Sequence, residues 1–247
     1  MEHELPGGQR HRTAPGVCLS ATMYEAQPER RFPVLYMFDG QNVFFNEDAT
    51  YGKSWGVADY LDYTDTPLIV AAIECNAGAN NERLVEYSPY RFDDPTYGHF
   101  DGKGQATMSW FIHRFKPLID QNFRTLPDRA HTFIGGSSMG GLMSLYALLQ
   151  YNDTYSRAAA LSPSIWVAPD KLSALWGAQS LPPAQCCTWT TAPVRWATTM
   201  HPPTVFCLER QADDPGHPPD QPHRARRHPL RGQLGKAAAL RVPHPAV

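Results

Sequence analysis

Four short apolar runs punctuate the first 176 residues, and each stops where turn-forming or polar residues begin. Val34-Leu-Tyr-Met-Phe38 ends at Asp39-Gly40. Leu68-Ile-Val-Ala-Ala-Ile73 is continuous rather than alternating, as suits a strand covered on both faces of a parallel sheet. His131-Thr-Phe-Ile134 ends at Gly135-Gly136, and Ala158-Ala-Ala-Leu161 ends at Ser162-Pro163. Between the runs the period changes. Met108, Phe111, Ile112, Phe115, Leu118 and Ile119 recur at three and four, which predicts a helix over 105–122. Pro117 inside it predicts a kink or the last turns. Leu142, Leu145, Tyr146 and Leu149 mark a second apolar helix face. Strand and helix in alternation predict an α/β fold with a mainly parallel, doubly wound sheet. Residues 75–104 show no clean period and read as a long loop of the kind that shapes binding sites.

Composition divides the chain. Of 247 residues, 42% are hydrophobic and 19% charged, enough apolar material for a sizeable core. Residues 177–247, however, hold 12 of the 23 prolines and 5 of the 10 histidines. They carry a net +4 against −6 for the rest, and only 14% Leu, Ile, Val and Phe, too few for a core of their own. A boundary near Gly177 follows, with a core over 1–176 and a Pro/Arg/His-rich tail over 177–247. A disordered tail, or a shifted reading frame through GC-rich DNA, would give such a composition.

Charge and cysteine usage remove several function classes. A net charge of −2 gives no bulk attraction for nucleic acid or anionic membrane, and the Arg224–Arg227 cluster is short. No apolar run approaches the ~18 residues of a membrane span. The opening residues lack the apolar stretch of a secretory leader, so a cytoplasmic protein is expected. Cys18, Cys75, Cys186, Cys187 and Cys207 are odd in number and irregularly spaced, which argues against a disulfide framework and against zinc. Cys75, closing an apolar run, reads as a small buried hydrophobe. His113, beside core-facing Ile112, reads as a surface or partly packed residue. Asp93, Asp94 and Asp101 lack calcium-loop spacing. No metal site or cofactor is expected.

The sharpest motif is Gly136-Ser137-Ser138-Met139-Gly140, a G-x-S-x-G sequence centred on Ser138. Its context is a strand before and a helix after, the setting of a nucleophile elbow. A tight bend there would expose the serine hydroxyl at the carboxyl edge of the sheet, beside the positive end of a helix. The N–H of Met139 would be one oxyanion donor. The second is expected from the turn after an earlier strand, where Gly40 permits close approach and Gln41 offers its N–H.

Several blocks now fall into one order. Val34–Asn42, Ser54-Trp-Gly-Val57, Glu86-Tyr-Ser-Pro89, Lys116–Asp120, Thr125–Arg129, Gly135–Gly141 and Leu161–Trp166 together resemble the putative esterase (esterase D-like) branch of the α/β-hydrolases, over residues 23–176. The resemblance implies an α/β-hydrolase fold and hydrolysis of a small-molecule carboxylic ester. It makes Ser138 the nucleophile, with Gln41 and Met139 supplying the oxyanion N–H groups and no cofactor.

Beyond Gly177 the resemblance stops, so a sheet incomplete on its C-terminal side is expected. The first 22 residues also match poorly. A catalytic acid and histidine should follow the serine in that order. By order alone Glu209, and His217, His223, His228 or His244, are the candidates. Without them the site would bind a ligand or turn over very slowly, since a serine hydroxyl needs a base. Two alternatives therefore stand beside the esterase: an impaired homologue acting as a binding module, and a related serine peptidase or acyltransferase. Acyl and alcohol specificity and oligomeric state are not legible.

Overall fold

The chain is described by a computed structural model covering residues 2–4, 10–12, 15–18, 21–64, 66–78, 80–178, 186–189, 195–196, 199–200 and 240–241. Seven strands form the main sheet: β1 (Pro15–Cys18), β2 (Val34–Met37), β3 (Ile69–Ile73), β4 (Thr132–Ser137), β5 (Arg157–Leu161), β6 (Cys186–Trp189) and β7 (Leu240–Arg241). Their spatial order is β6-β5-β4-β2-β3-β1-β7. The five strands from β6 to β3 are parallel, and β1 runs antiparallel to both β3 and β7. The chain steps from β2 to β3 on one side and then to β4 on the other. The order therefore reverses at β2, and the crevice beyond the carboxyl ends of β2 and β4 is a topological switch point.

Side-chain alternation builds a core on each face of the sheet. Val34, Tyr36 and Phe38 join Ile69, Ala71 and Ile73 in the larger cluster, under Met108, Phe111, Phe115, Leu142 and Leu145. Met37, Val70 and Ala72 point the other way, against Val43, Phe44, Ala58 and Leu61. Ala58 and Leu61 come from the helix Val57–Thr64. Burial on both sides explains why the run ending at Ile73 never alternates.

The expected helix over 105–122 is present, with an unexpected seam. Gly104–Trp110 and Lys116–Asn122 are α-helical, and Phe111–Phe115 between them is a π turn in which the Lys116 N–H reaches the Phe111 carbonyl. Pro117 lies near the start of the second α segment, which forms the last turns of the run, directly after the widened turn. The segment 75–104, expected as a loop, contains a short helix, Glu82–Glu86, and a hairpin of Phe92–Asp94 with Gly98–Phe100. Phe92 and Phe100 stack at 4.9 Å across that hairpin. These elements are too short to show a period. The helix Met139–Gln150 is buried all round except at Gln150, not on one face only. Four described strands lie past Gly177: β6 and β7 of the main sheet, and an antiparallel pair of Arg195–Trp196 with Thr199–Met200. Among the described residues no helix is long and apolar enough to cross a membrane.

Candidate active site

β4 ends at Ser137 and the helix Met139–Gln150 begins at Met139, leaving one residue for the whole change of direction. That residue is Ser138, at φ 58° and ψ −115°, a conformation that L-residues hold only when their surroundings impose it. Here the surroundings are main chain. The Ser138 N–H donates to the Leu161 carbonyl at 2.9 Å. The Ser138 carbonyl accepts from the N–H groups of Leu142 and Ser164, both at 3.0 Å. Glycine permits the tight bend: a Cβ on Gly136 would lie 2.7 Å from the carbonyl carbon of Gly140. Ser138 is solvent-exposed, as the bend requires. Its Oγ lies 3.2 Å from Ser164 Oγ, its sole hydrogen-bond partner among the described residues. Ser164 itself is buried, in the turn following β5.

Met139 follows directly. Its N–H belongs to the first helical turn, which has no intrahelical acceptor. Gln41 sits in a 3₁₀ turn, Gly40–Asn42, at the carboxyl end of β2. Gly40 lets this turn press against β3, because a Cβ there would meet the Ile73 carbonyl carbon at 2.7 Å. The Gln41 side chain is turned to Cys75: its Nε2 donates to Sγ and its Oε1 accepts from the Cys75 N–H, both at 3.2 Å. Its backbone is thereby fixed from behind. β2 and β4 are neighbours, with Met37 beside Gly135, so the two turns emerge side by side. Helix and turn touch there, since a Cβ on Gly140 would lie 3.0 Å from Phe38 Cβ and 3.1 Å from Asp39 Oδ2.

A buried polar network lies behind the Gln41 turn. Asp39 is itself at φ 58°, and its carboxylate is paired side-on with Arg83: Nε to Oδ1 at 2.6 Å and Nη2 to Oδ2 at 2.8 Å. The Asp39 N–H donates to the Tyr87 hydroxyl at 3.2 Å. Burial opposes the Arg83 charge, but the hydrogen bonds and charge of Asp39 outweigh it and move its pKa up. Glu86 accepts from the Asn76 N–H at 2.7 Å, and Glu82 accepts from Asn76 Nδ2. Burial drives the Glu86 carboxyl up to about 7, with the Asn76 hydrogen bond resisting. Cys75 is half-buried rather than a simple core residue. Desolvation first, and the Asp39 charge second, push its thiol up to about 12.

Nothing local in the sequence announces this network: Asp39 reads as a turn former, Glu86 stands within a resemblance block, and no pattern marks Arg83. Ser164 likewise sat unremarked within Leu161–Trp166. His113 is exposed, as expected for a surface residue. His99 bonds Asp93, and His131 bonds Asp128. Among the described residues no three or more His, Cys, Asp and Glu side chains come together as a metal site would need. Glu209, His217, His223, His228 and His244 lie outside the described residues.

A mainly parallel sheet crossed by helices, with an exposed serine on a tight turn at its switch point, is the architecture of the α/β-hydrolases. The solved structure of the siderophore hydrolase EstB from Aspergillus nidulans matches at a TM-score of 0.54, with 17% identity over 80% of this chain and 71% of that one. Siderophore hydrolase EstA from the same organism matches at 0.51, with 18% identity over 69% and 62%. The chain belongs to the family described as Putative esterase, whose model matches residues 20–201. That match runs past Gly177, further than the resemblance read from the sequence. An uncharacterized protein of Bacillus subtilis strain 168, YbbA, is 28% identical over 142 residues, 55% of this chain. The chain spans about half (51%) of the length of that relative.

Proposed function

We propose that this protein hydrolyses a carboxylic ester of a small molecule through an acyl-enzyme on Ser138. The observation that carries the proposal is the exposed Ser138 hydroxyl, held at positive φ between β4 and a helix N-terminus. Family membership independently supports ester hydrolysis. In this reading Ser138 Oγ forms a bond to the acyl carbon. The carbonyl oxygen takes up negative charge and is met by the N–H groups of Gln41 and Met139. The carbon–oxygen bond to the alcohol then breaks, and the alcohol leaves with the serine proton. Water attacks the acyl-enzyme, releases the acid and restores the hydroxyl. The base that carries these protons is drawn from His217, His223, His228 and His244, oriented by an acid for which Glu209 is the candidate. The reaction calls for no metal or cofactor.

The contact with Ser164 favours a second reading, in which the site binds an ester or acid but turns it over poorly. A hydroxyl neighbour is no base. A fluorophosphonate probe separates the two, because Ser138 Oγ must displace fluoride from phosphorus to be labelled. Intact-mass analysis of the wild-type chain is expected to show one adduct, which Ser138→Ala abolishes together with turnover of p-nitrophenyl acetate. A folded wild-type chain that takes no adduct, and is no faster than Ser138→Ala, would overturn the esterase reading. Parallel assays with peptide substrates and with added acceptor alcohols test the peptidase and acyltransferase alternatives.

A further inference from the structure

The backbone ladder between β2 and β4 ends where the chemistry would begin. Its outermost bond among the described residues runs from the Phe38 N–H to the Gly135 carbonyl, at 3.0 Å. Beyond it Asp39 and Ser137 lead into separate turns, and no direct main-chain bond ties one to the other. One side chain spans the gap. Arg83, from the helix Glu82–Glu86, grips both carboxylate oxygens of Asp39 and also donates through Nη2 to the Ser137 carbonyl at 3.3 Å. Asp39 stands two residues before Gln41, and Ser137 two before Met139. The grip is stiff at both ends. The Asp39 side chain is 2% exposed, and its backbone is held by Tyr87. The guanidinium lies 5.2 Å from the Tyr87 ring centroid.

We infer that Arg83, acting through Asp39, is a positioning residue that sets the Gln41 and Met139 N–H groups at a fixed separation. This rests on the ester-hydrolase reading above and adds to it a residue from outside both turns. Two physical arguments favour this role over simple stabilisation. A buried ion pair adds little net stability, because desolvation of both charges offsets their attraction. Preorganised donors, by contrast, are sensitive to displacement, and misplacement by about 1 Å can cost on the order of 10²-fold in rate. Arg83 also neutralises a carboxylate buried beside the place where an oxyanion would form. A lysine would not substitute, since it lacks the planar fork that reaches Asp39 and Ser137 together.

The test compares wild type with Arg83→Met, Arg83→Lys and the control Leu61→Ala. Leu61 is buried in the second core cluster, apart from the one that holds Phe38 and Tyr87. The first readout is the second-order rate of fluorophosphonate labelling, taken below each variant's melting temperature. Arg83→Met should label about 10²-fold more slowly and Arg83→Lys should not restore the rate, while Leu61→Ala, though less stable, labels at the wild-type rate. With p-nitrophenyl acetate the loss should fall on kcat rather than KM. The second readout, amide hydrogen exchange, needs no catalysis. Exchange of the Asn42 and Ser138 N–H groups, which hold the two turns through the Asp39 and Leu161 carbonyls, should quicken by about tenfold or more in Arg83→Met and stay unchanged in Leu61→Ala. Absence of labelling in the wild type sinks the ester-hydrolase reading alone, and exchange then decides on Arg83. Labelling of Arg83→Met within about twofold of wild type, or unchanged exchange at both amides, overturns the positioning role.

Discussion

Glu86 has a carboxyl group that folding makes harder to ionise. Its pKa rises from 4.5 to about 7, chiefly because the side chain is removed from water. Below both values it is protonated in either state and has no effect. Between them the unfolded chain releases the proton that the folded chain keeps, so stability falls as pH rises through that window. This is opposite in sign to a salt-bridged acid. Glu86→Gln keeps an acceptor for the Asn76 N–H and has no charge to desolvate. Thermal melts from about pH 5 to about pH 8 should therefore show the variant gaining on wild type as pH rises. A constant difference between the two would refute the assignment. Residues of this kind escape sequence reading. Asp39 and Arg83 are 44 positions apart, and Glu86 meets Asn76 across a turn, so no local spacing announces either contact. The tight turn at Ser138 was legible because its signal is local: flanking glycines, a strand before and a helix after.

Elements with a period of their own were read correctly, and those too short to have one were not. β2, β3, β4 and β5 each correspond to an apolar run, and the two long helices to their repeats at three and four. The hairpin at 92–100 and the helix Glu82–Glu86 had only three to five residues each in which to show a pattern. The π turn at Phe111–Phe115 is invisible for another reason, since one widened turn hardly disturbs an apolar stripe. The junction of β4 with its helix also makes an energetic prediction. A methyl group on Gly136 would press on main-chain atoms of Gly140 at 2.7 and 2.8 Å, which cannot rotate away. Gly136→Ala should lower unfolding stability by about 1–3 kcal/mol in denaturant titration. Gly177, at the end of its helix, has nothing within 4 Å of an added Cβ. Gly177→Ala should match wild type or exceed it by up to about 1 kcal/mol. Equal effects at the two sites would contradict the close approach seen at Gly136.

For the molecule as a whole, charge and surface act together. The sequence pI is about 6.5, so little net repulsion separates copies near neutral pH. Tyr51, Tyr60, Tyr63, Tyr97 and Trp166 are more than half exposed, and such side chains favour contact once repulsion is gone. Light scattering across a pH series should peak near the pI and fall on either side; a flat profile would show that these aromatic groups do not promote association. Past Gly177, where the composition changes, β6 pairs in parallel with β5. Average composition cannot report a four-residue strand within a proline-rich stretch.

The bend at Ser138 is gripped through its peptide groups, by Leu161, Leu142 and Ser164. None of those bonds depends on what the side chain is. The socket would hold a thiol or a carboxylate as firmly as a hydroxyl, leaving the frame indifferent to the reagent it presents. Descendants of such a chain could trade one reactive group for another by a single codon change, without having to reinvent the scaffold.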